Sequence, residues 1–435
     1  MRELVTEVLA AGEDSTLELL PAMESTNPPD WPGARWIGAI DLASLADEHQ
    51  RVRLQNSAGY SRARLLVREG YAVRGFVDLD IPDGIVERGV LDEAVDALPA
   101  ADPLLPGSSS PSITVVVCTR DRTSQLRGSL AAILGLDYQN FDVLIVDNAA
   151  RTSETRDMVR DEFQDPRIAF IPEPTPGLSH ARNTGLRNAR GDIVAFTDDD
   201  VVVDRAWLRG IAAGFERASD AACVTGLVPA GEVRSRVQQY FDDRVSWSKS
   251  VSPKVYSLAK PPADLPKFPF CVGAYGTGAN FAMDREVAVG LGGFDAALGV
   301  GTRTGGGEDI DMFTRVILAG HSLVVQPSAI VWHRHRDGLE ELRVQAKGYG
   351  SGLGAWLAKI LSNPRTARLA LARSPRVIWN LLKSAGALRP RSEEEADPAS
   401  WDKQLARVLR LELLSVACGP LNYLLELHSQ NGKPL

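Results

Sequence analysis

GDIVAFTDDDVVV, at residues 191–203, is the stretch of sequence that decides the fold. Its first apolar run follows a Gly-Asp turn, which is typical of a buried parallel strand. The run ends in Thr197 and three consecutive carboxylates, Asp198, Asp199 and Asp200. Neighbouring carboxylates repel each other unless a cation lies near them, and aspartate oxygens suit Mg²⁺ or Mn²⁺. These residues therefore predict a metal site, and the alternative is a solvated acidic turn.

The sequence around this stretch alternates apolar runs with helical periodicity. Strands are predicted at 113–118, 141–146, 168–171 and 193–196, and helices at 123–134, at 152–163 and within GLSHARNTGLRNARGD (177–192). Such repetition predicts a parallel sheet covered by helices, with ligands bound beyond the carboxyl ends of its strands. Thr119 to Arg122, Asp147 with Asn148, and the three aspartates each follow a predicted strand. We therefore expect them to meet along one edge of the sheet.

Three motifs in the second half of the chain are candidates for a site. GAYGTGANF, at 273–281, has glycines that let the backbone approach a ligand closely. GGGED, at 305–309, opens a predicted helix, where acidic residues either complement the helix dipole or belong to a site. WHRHR, at 332–336, follows the predicted strand segments 323–325 and 330–331. One histidine is usually structural, but two histidines with two arginines favour a phosphate or a metal.

Composition narrows the class of protein. The net charge is −8, so nucleic acid is not an expected partner. The four cysteines lack CxxC spacing, which favours reduced thiols in a cytoplasmic protein without a zinc site or disulfides. The N-terminal residues lack the apolar core of a signal peptide. The most apolar stretch, 405–427, contains Arg407, Arg410, Glu412 and Glu426, so a membrane-spanning helix is not expected.

Changes in pattern divide the chain into three predicted domains. Residues 1–106 look like an accessory β-rich unit with a hairpin around Gly70, and residues 107–337 form the α/β domain. Residues 338–435 are expected to be helical. Within them, 339–389 contain nine Lys and Arg against Glu340 and Glu341, with interspersed tryptophans and leucines. This composition favours an anionic membrane surface, so the protein is expected to be cytoplasmic and peripheral at the membrane. Helices that close over the site and pack on the core are the alternative.

The motifs together resemble one family. VVVCTRDR, VLIVDN, GLSHARNTGLRNARGD and FTDDD look like the nucleotide-sugar half of family 2 glycosyltransferases, and GTGANFAM and GGGEDIDMFTRV resemble that family's acceptor side. The resemblance covers residues 113–335 and rests on six motifs in order. It implies the GT-A fold, a Rossmann-like α/β fold with a mostly parallel sheet flanked by helices. It also implies inverting, Mg²⁺- or Mn²⁺-dependent transfer of a sugar from a nucleoside-diphosphate sugar to a hydroxyl of a glycan, a lipid-linked acceptor or a small molecule.

The resemblance also implies roles for individual residues. Asp309 would be the general base, Glu308 would position the acceptor, and Asp200 would be the first metal ligand. The residues implied for the nucleotide sugar are Thr119, Arg120, Arg122, Asp147, Asn148, Arg182, Asn183, Asp198 and Asp199. The other implied metal ligands are Asp198, His333 and His335, and those implied for the acceptor are Gly278, Asn280 and Gly307.

Several alternatives stay open at this point. The Gln-x-x-Arg-Trp motif of processive synthases is absent, since the region reads RVQAKGYG (343–350), which favours single addition. A sugar nucleotidyltransferase would be expected to have a glycine-rich loop after the first strand, whereas CTRDRTSQ (118–125) contains no glycine. A non-catalytic sugar-nucleotide-binding protein is disfavoured by two complete carboxylate sets. Glu308 and Asp311 are rival bases, although Asp311 is expected to form a surface ion pair with Arg315. Alternation places Asp198 and Asp200 on one side and Asp199 on the other.

Overall fold

A mixed sheet with helices on both faces forms the centre of the molecule. The computed structural model describes residues 16–25, 27–45, 49–102, 110–373 and 398–431. The strands are β1 (Thr16–Leu19), β2 (Arg35–Asp41), β3 (Arg51–Leu54), β4 (Arg62–Glu69), β5 (Ala72–Asp80), β6 (Ile85–Glu87), β7 (Ile113–Thr119), β8 (Phe141–Asn148), β9 (Ile168–Glu173), β10 (Ile193–Thr197), β11 (Val201–Val203), β12 (Ala221–Leu227), β13 (Lys254–Tyr256), β14 (Asn280–Asp284) and β15 (Ser322–His333).

The helices cover the sheet and form the C-terminal region. They are α1 (Arg88–Asp96), α2 (Thr123–Leu134), α3 (Glu154–Glu162), α4 (Leu178–Asn188), α5 (Trp207–Glu216), α6 (Arg236–Arg244), α7 (Arg285–Gly290), α8 (Glu308–Leu318), α9 (Leu339–Ser362), α10 (364–373) and α11 (Pro398–Asn431). The α/β class, the β-rich N-terminal unit and the helical C-terminal region are thus confirmed.

The N-terminal unit consists of two three-stranded sheets around its own apolar core. The sheets have the orders β1-β3-β6 and β2-β4-β5, and the predicted hairpin is formed by antiparallel β4 and β5. Gly70 makes its turn with φ of 59°, a left-handed conformation that glycine adopts without strain. Ile37 and Leu66 pack against Trp332 of the central domain. The unit is therefore attached through buried apolar surface.

The central sheet has the order β11-β15-β12-β14-β10-β7-β8-β9, with β13 paired to β15. The strands β10, β7, β8 and β9 are parallel, as their apolar runs predicted. Both faces of β10, β7 and β8 are buried under helices, whereas β9 at the edge of the sheet is only partly buried. The strand β14 is antiparallel to both neighbours, so the sheet is mixed. The segments 323–325 and 330–331, predicted separately, belong to the single strand β15.

The strand register decides which residues meet at the carboxyl edge. Thr119 pairs with Asp147 across β7 and β8, and β10 ends beside them with Asp198 directly after it. On the other side of the aspartates, Val201 of β11 pairs with His333 of β15. Polar residues from four strands therefore reach the same edge, as the sequence predicted for three of them.

The helices α9 and α11 pack along each other in the same direction. Leu342 of α9 clusters with Val408 of α11, and further along, Ala355 clusters with Tyr423. Within the described residues one helical stretch, Lys403–Gln430, is long and apolar enough to cross a membrane by length and composition alone. The expectation that no helix spans a membrane stays a prediction, because length and composition alone do not test it.

Two sequence-based interpretations concern residues outside the described part. The boundary predicted at residue 106 falls within 103–109, and the end of the basic stretch, at 374–389, falls within 374–397. The division into three domains stays a prediction.

Candidate active site

Asp198, Asp200 and His333 form the only cluster of possible metal ligands found among the described residues. Each offers one oxygen or nitrogen atom, and these atoms lie within 4.8 Å of one another. His333 Nε2 is 3.5 Å from Asp200 Oδ1, because the pairing of β11 with β15 brings the two strand ends together. Two carboxylates and an imidazole form a donor set that fits a divalent transition metal such as Mn²⁺.

Asp199 is hydrogen-bonded to the end of β7 and to the loop that follows it. Its carboxylate accepts hydrogen bonds from Thr119 Oγ1 at 2.7 Å and from Arg122 Nη1 at 2.6 Å. The second guanidinium nitrogen of Arg122 donates to Asp200 Oδ2 at 2.6 Å. Ser129 of α2 donates to the main-chain oxygen of Asp199 at 2.9 Å. Asp199 therefore stabilises the turn after β10. Arg122 connects this turn to the group formed by Asp198, Asp200 and His333, which we call the metal-type cluster.

The three aspartates differ in their proton affinity. Burial, reinforced by the charge of Asp200, raises the pKa of Asp198 to about 6, and burial raises the pKa of Asp199 to about 6 as well. Burial also tends to raise the pKa of Asp200, but His333 and Arg122 have the larger combined effect, so the pKa of this carboxyl is lowered. Asp200 is therefore the most firmly ionised of the three, and a bound cation would favour ionisation of Asp198 too.

His335 lies beside His333 but outside the metal-type cluster. The two rings are 5.6 Å apart, and the ring of His335 packs edge-on against Phe241 at 4.7 Å. Its Nε2 is 4.0 Å from Asp242 Oδ1, and neither ring nitrogen has a hydrogen-bond partner in the described part of the chain. Burial lowers the pKa of His335 to about 3. The structure therefore separates the two histidines that the sequence pattern treated alike.

Arg182 connects the aspartates to a second carboxylate group at the start of α8. Its Nη1 donates to Glu308 Oε1 at 2.9 Å, its Nη2 donates to the oxygen of Gly278 at 3.0 Å, and Nη2 lies 4.0 Å from Asp198 Oδ1. The main-chain nitrogen of Gly278 donates to Asp309 Oδ2 at 2.8 Å. A Cβ at residue 278 would lie 2.9 Å from Arg182 Nη2, so a larger residue there would displace the guanidinium from this position.

The two adjacent carboxylates of α8 have different surroundings. Asp309 is half-buried and accepts hydrogen bonds from two main-chain nitrogens, those of Gly278 and Ile310, each at 2.8 Å. Glu308 is buried, and its Oε2 has no partner among the described groups. Burial, and next the charge of Asp309, raise the pKa of Glu308 to about 7. Asp309 is the more accessible of the two for a substrate.

Asp311 is buried, in contrast to the surface position expected from its sequence. Its side chain is 1% exposed and accepts a hydrogen bond from Arg315 at 2.7 Å, the predicted partner. Lys359 of α9 is a second partner, at 2.9 Å. Because both cations hold its carboxylate, Asp311 is not available as the base. No local pattern indicates Lys359, which is 48 residues away.

Asn148 and Asn183, both predicted site residues, form hydrogen bonds to the backbone of loops at the carboxyl edge of the sheet. Asn148 Oδ1 accepts from the nitrogen of Gly177 at 2.9 Å, and its Nδ2 donates to the oxygen of Thr175 at 2.7 Å. Asn183 makes a reciprocal pair with the backbone of Phe294, at 2.8 and 2.7 Å. These side chains shape the loop before α4 and the loop after α7.

The remaining predicted residues lie at different depths. Asp147 is buried, its Oδ1 is without a partner in the described structure, and burial raises its pKa to about 6. Arg120 is exposed at the rim.

Asn280, predicted to bind the acceptor, is completely buried. Its side chain accepts a hydrogen bond from Trp207 and donates to the main-chain oxygens of Leu227 and Ala329. The side chain of Asn280 therefore holds strands together. Gly307, with φ of 95°, caps α8.

Comparisons with known proteins agree on one class. Residues 114–288 match the family model described as glycosyl transferase family 2. A pre-mycofactocin glycosyltransferase of Mycobacterium tuberculosis is 28% identical over 391 residues, which cover 86% of this chain and 76% of that protein. The succinoglycan biosynthesis protein ExoM of Rhizobium meliloti is 29% identical over 283 residues, covering 62% of this chain and 79% of that protein.

Among solved structures, a mannosyltransferase from Pyrobaculum calidifontis in complex with GDP-Man and Mn²⁺ is similar with a TM-score of 0.47 and 21% identity. That similarity covers 72% of this chain and 88% of the mannosyltransferase.

Proposed function

As this chain is a family 2 glycosyltransferase, we propose that it is an inverting, metal-dependent enzyme that adds single sugar residues from a nucleoside-diphosphate sugar to an acceptor hydroxyl. The observation that carries this proposal is the position of Arg182 between two carboxylate groups. Asp198, Asp200 and His333 lie on one side of it, and Glu308 and Asp309 lie on the other. A displacement reaction needs separate groups for the leaving group and for the nucleophile, and this arrangement supplies both.

The first group is suited to the donor. Asp198, Asp200 and His333 would hold a divalent cation, whose chemistry is Lewis-acid stabilisation of the departing diphosphate. Arg122, bonded to Asp200, and Arg336, with Nη2 3.8 Å from Asp200 Oδ2, add positive charge where phosphates would lie. The unpartnered Oδ1 of Asp147 is suited to accept a hydrogen bond from the base or ribose of the nucleotide.

The second group is suited to the acceptor. In the proposed step, the acceptor oxygen forms a bond to the anomeric carbon, the bond from that carbon to the diphosphate breaks, and Asp309 takes the hydroxyl proton. Displacement from the face opposite the leaving group inverts the anomeric configuration. The hydrogen bonds from the nitrogens of Gly278 and Ile310 orient the carboxylate of Asp309 for this role. Glu308 acts by holding Arg182 between the two groups.

A donor panel tests the proposal. The protein is incubated with UDP-, GDP- and dTDP-sugars and Mn²⁺ or Mg²⁺, and nucleotide release and the anomeric configuration of the product are measured. Metal-dependent turnover of one donor with inversion is expected, and a retained configuration or no turnover of any donor would contradict the proposal. A parallel reaction of sugar 1-phosphates with nucleoside triphosphates tests the nucleotidyltransferase alternative. Because one relative is named for pre-mycofactocin, that compound belongs among the acceptors tested.

We also propose that the C-terminal helices attach the enzyme peripherally to an anionic membrane surface. Leu413, Leu414, Leu421, Leu424 and Leu425 of α11 are all exposed, between 44% and 71%. Arg365 and Arg368 of α10 are exposed too, and they follow the end of α9 that lies beside the end of α11. An apolar face next to basic side chains fits a bilayer that contains anionic lipid.

Vesicle flotation tests this attachment. Truncation after Arg336 is unsuitable because α9 packs on the core through Leu342, so the test variant is Leu421→Ser/Leu424→Ser, with Val344→Ser on α9 as the exposed control. We expect the wild-type protein and the control to float with vesicles containing phosphatidylglycerol, and the double variant to float at least several-fold less. Equal flotation of all three, or loss of self-association by the double variant in light scattering without any lipid effect, would refute the attachment.

A further inference from the structure

The glycines of KGYGSGLG, at 347–354, let α9 approach two neighbours at once. A Cβ at Gly352 would lie 2.5 Å from the carbonyl carbon of Gly306, in the loop before the catalytic α8. On another face, a Cβ at Gly354 would lie 2.0 Å from the oxygen of Val416 in α11. The helix α9 therefore packs between α11 and the loop that precedes α8, and its backbone contacts the backbone of both.

Within residues 348–352 of α9, which read GYGSG, Tyr349 is the one large side chain. It is 44% exposed, its ring lies 6.2 Å from the ring of Phe241 in α6, and its hydroxyl is 3.3 Å from Gln345 Nε2. Tyr349 therefore lies against α6, in the same turn of α9 as Gly348 and Gly352, which contact the loop before α8.

We propose that Tyr349 is a binding residue for the acceptor, and that its ring lies against a ring of the acceptor molecule. This inference rests on the proposed function, in which Asp309 receives the acceptor proton. The metal-type cluster and Arg122 are on the donor side of Arg182, whereas α9 contacts the loop at Gly305 to Gly307, next to Asp309. Tyr349 is exposed in the turn of α9 that makes these contacts, so we place its ring on the acceptor side of the site.

The ring of Tyr349 carries the proposed contact. A tyrosine offers a large, rigid apolar face at a low cost in side-chain entropy, which suits the flat apolar surface of a sugar ring or an aromatic ring. Phe241 and Gln345 adjoin Tyr349, yet 44% of its side chain stays exposed, which leaves ring surface open to a ligand. The expected acceptor class is hence a ring-bearing alcohol, such as a glycoside, in preference to a chain-like polyol.

Three substitutions test this assignment. Tyr349→Ala removes the ring, Tyr349→Phe keeps it, and Val344→Ala is the control, since Val344 is 73% exposed on the same helix. The probes are p-nitrophenyl glucoside and p-nitrophenyl galactoside as ring-bearing acceptors, glycerol as a polyol, and water, measured as hydrolysis of the donor that the panel identifies. Binding of the glycosides to the protein saturated with nucleoside diphosphate and Mn²⁺ is followed by ligand-observed NMR, so this readout does not require turnover.

We expect Tyr349→Ala to weaken glycoside binding, and kcat/KM for a transferred glycoside, by about tenfold, a typical loss for one aromatic contact. The Phe variant and the control should stay within about twofold, and donor hydrolysis, transfer to glycerol and the melting temperature should not change. Equal loss with water, glycerol and glycosides would mean a structural role and overturn the proposal. So would unchanged glycoside binding in the Ala variant, an equal loss in the Phe variant, or no glycoside binding by the wild-type protein. Failure of the proposed function appears differently, as absence of turnover of every donor by the wild-type protein.

Discussion

Arg182 and Glu308 form a buried ion pair at 2.9 Å although 126 residues separate them in sequence. The pair joins α4, which contains Arg182, to the first turn of α8, which contains Asp309. Both side chains are less than a tenth exposed, so removal of one leaves the other charged group buried without its partner. The spacing between the two halves of the site therefore depends on this contact.

A double-mutant cycle at Arg182 and Glu308 should show strong coupling. Arg182→Met alone and Glu308→Gln alone should each lower stability and turnover, whereas the combined change should cost less than the sum. The coupling free energy expected for a buried charged pair is about 1–3 kcal/mol, measured by chemical denaturation. Additive effects would show that the two residues act independently.

Asp309→Asn should abolish transfer and leave nucleotide binding intact. The amide cannot take the proton of the acceptor, and loss of a general base typically lowers kcat by about 10²–10⁴-fold. Steady-state kinetics and titration calorimetry with nucleoside diphosphate and Mn²⁺ measure the two properties. Asp80→Asn, on the exposed end of β5, is the matched control. Turnover at the wild-type rate would rule out Asp309 as the base.

Asp200→Asn and Asp199→Asn should fail in different ways. Asp200 belongs to the metal-type cluster, so its amide variant should bind Mn²⁺ and Mn²⁺-dependent nucleotide at least about tenfold more weakly in calorimetry. Asp199 is bonded to Thr119 and Arg122, so its amide variant should lower the free energy of unfolding by about 1–3 kcal/mol. Unaltered Mn²⁺ affinity in the Asp200 variant would remove that residue from the ligand set.

The buried imidazole of His335 should make the protein sensitive to acid. Burial lowers its pKa to about 3, below the value of 6.5 expected when it is unfolded. Between these values the unfolded chain binds more protons than the native state, so the free energy of unfolding falls as the pH falls from 6.5 towards 3. The slope contributed by one such group approaches about 1.4 kcal/mol per pH unit.

His335→Gln should remove this contribution, because glutamine does not titrate. Urea unfolding at several pH values, with a chelator present, should give a shallower slope between pH 6.5 and 4.5 for the variant than for the wild-type protein. Val344→Ser, at an exposed position of α9 that does not titrate, serves as the control and should retain the wild-type slope. Parallel profiles for wild type and His335→Gln would contradict the assignment.

The architecture around the donor side could be predicted from periodicity. The apolar runs that became β7, β8 and β10 are buried on both faces, and parallel strands bring their carboxyl ends to one edge whatever the details of packing. Thr119, Asp147 and the three aspartates could therefore be grouped before any coordinates. The predicted alternation of the three aspartates does not describe them, because β10 ends at Thr197 and Asp199 and Asp200 lie in a turn, where both carboxylates bind Arg122.

What the sequence by itself determined is thus the α/β order, the edge on which polar residues collect, and the candidate residues for a metal and for proton transfer. The tertiary structure alone decided that His333 joins Asp200 while His335 packs on Phe241, that Arg182 meets Glu308, and that Lys359 pairs with Asp311. Local periodicity sets which face of an element is buried. These contacts depend on how elements distant in sequence approach one another. The glycines of α9, for example, permit close approach of α9 to α11 and to the loop before α8, but they do not specify those partners.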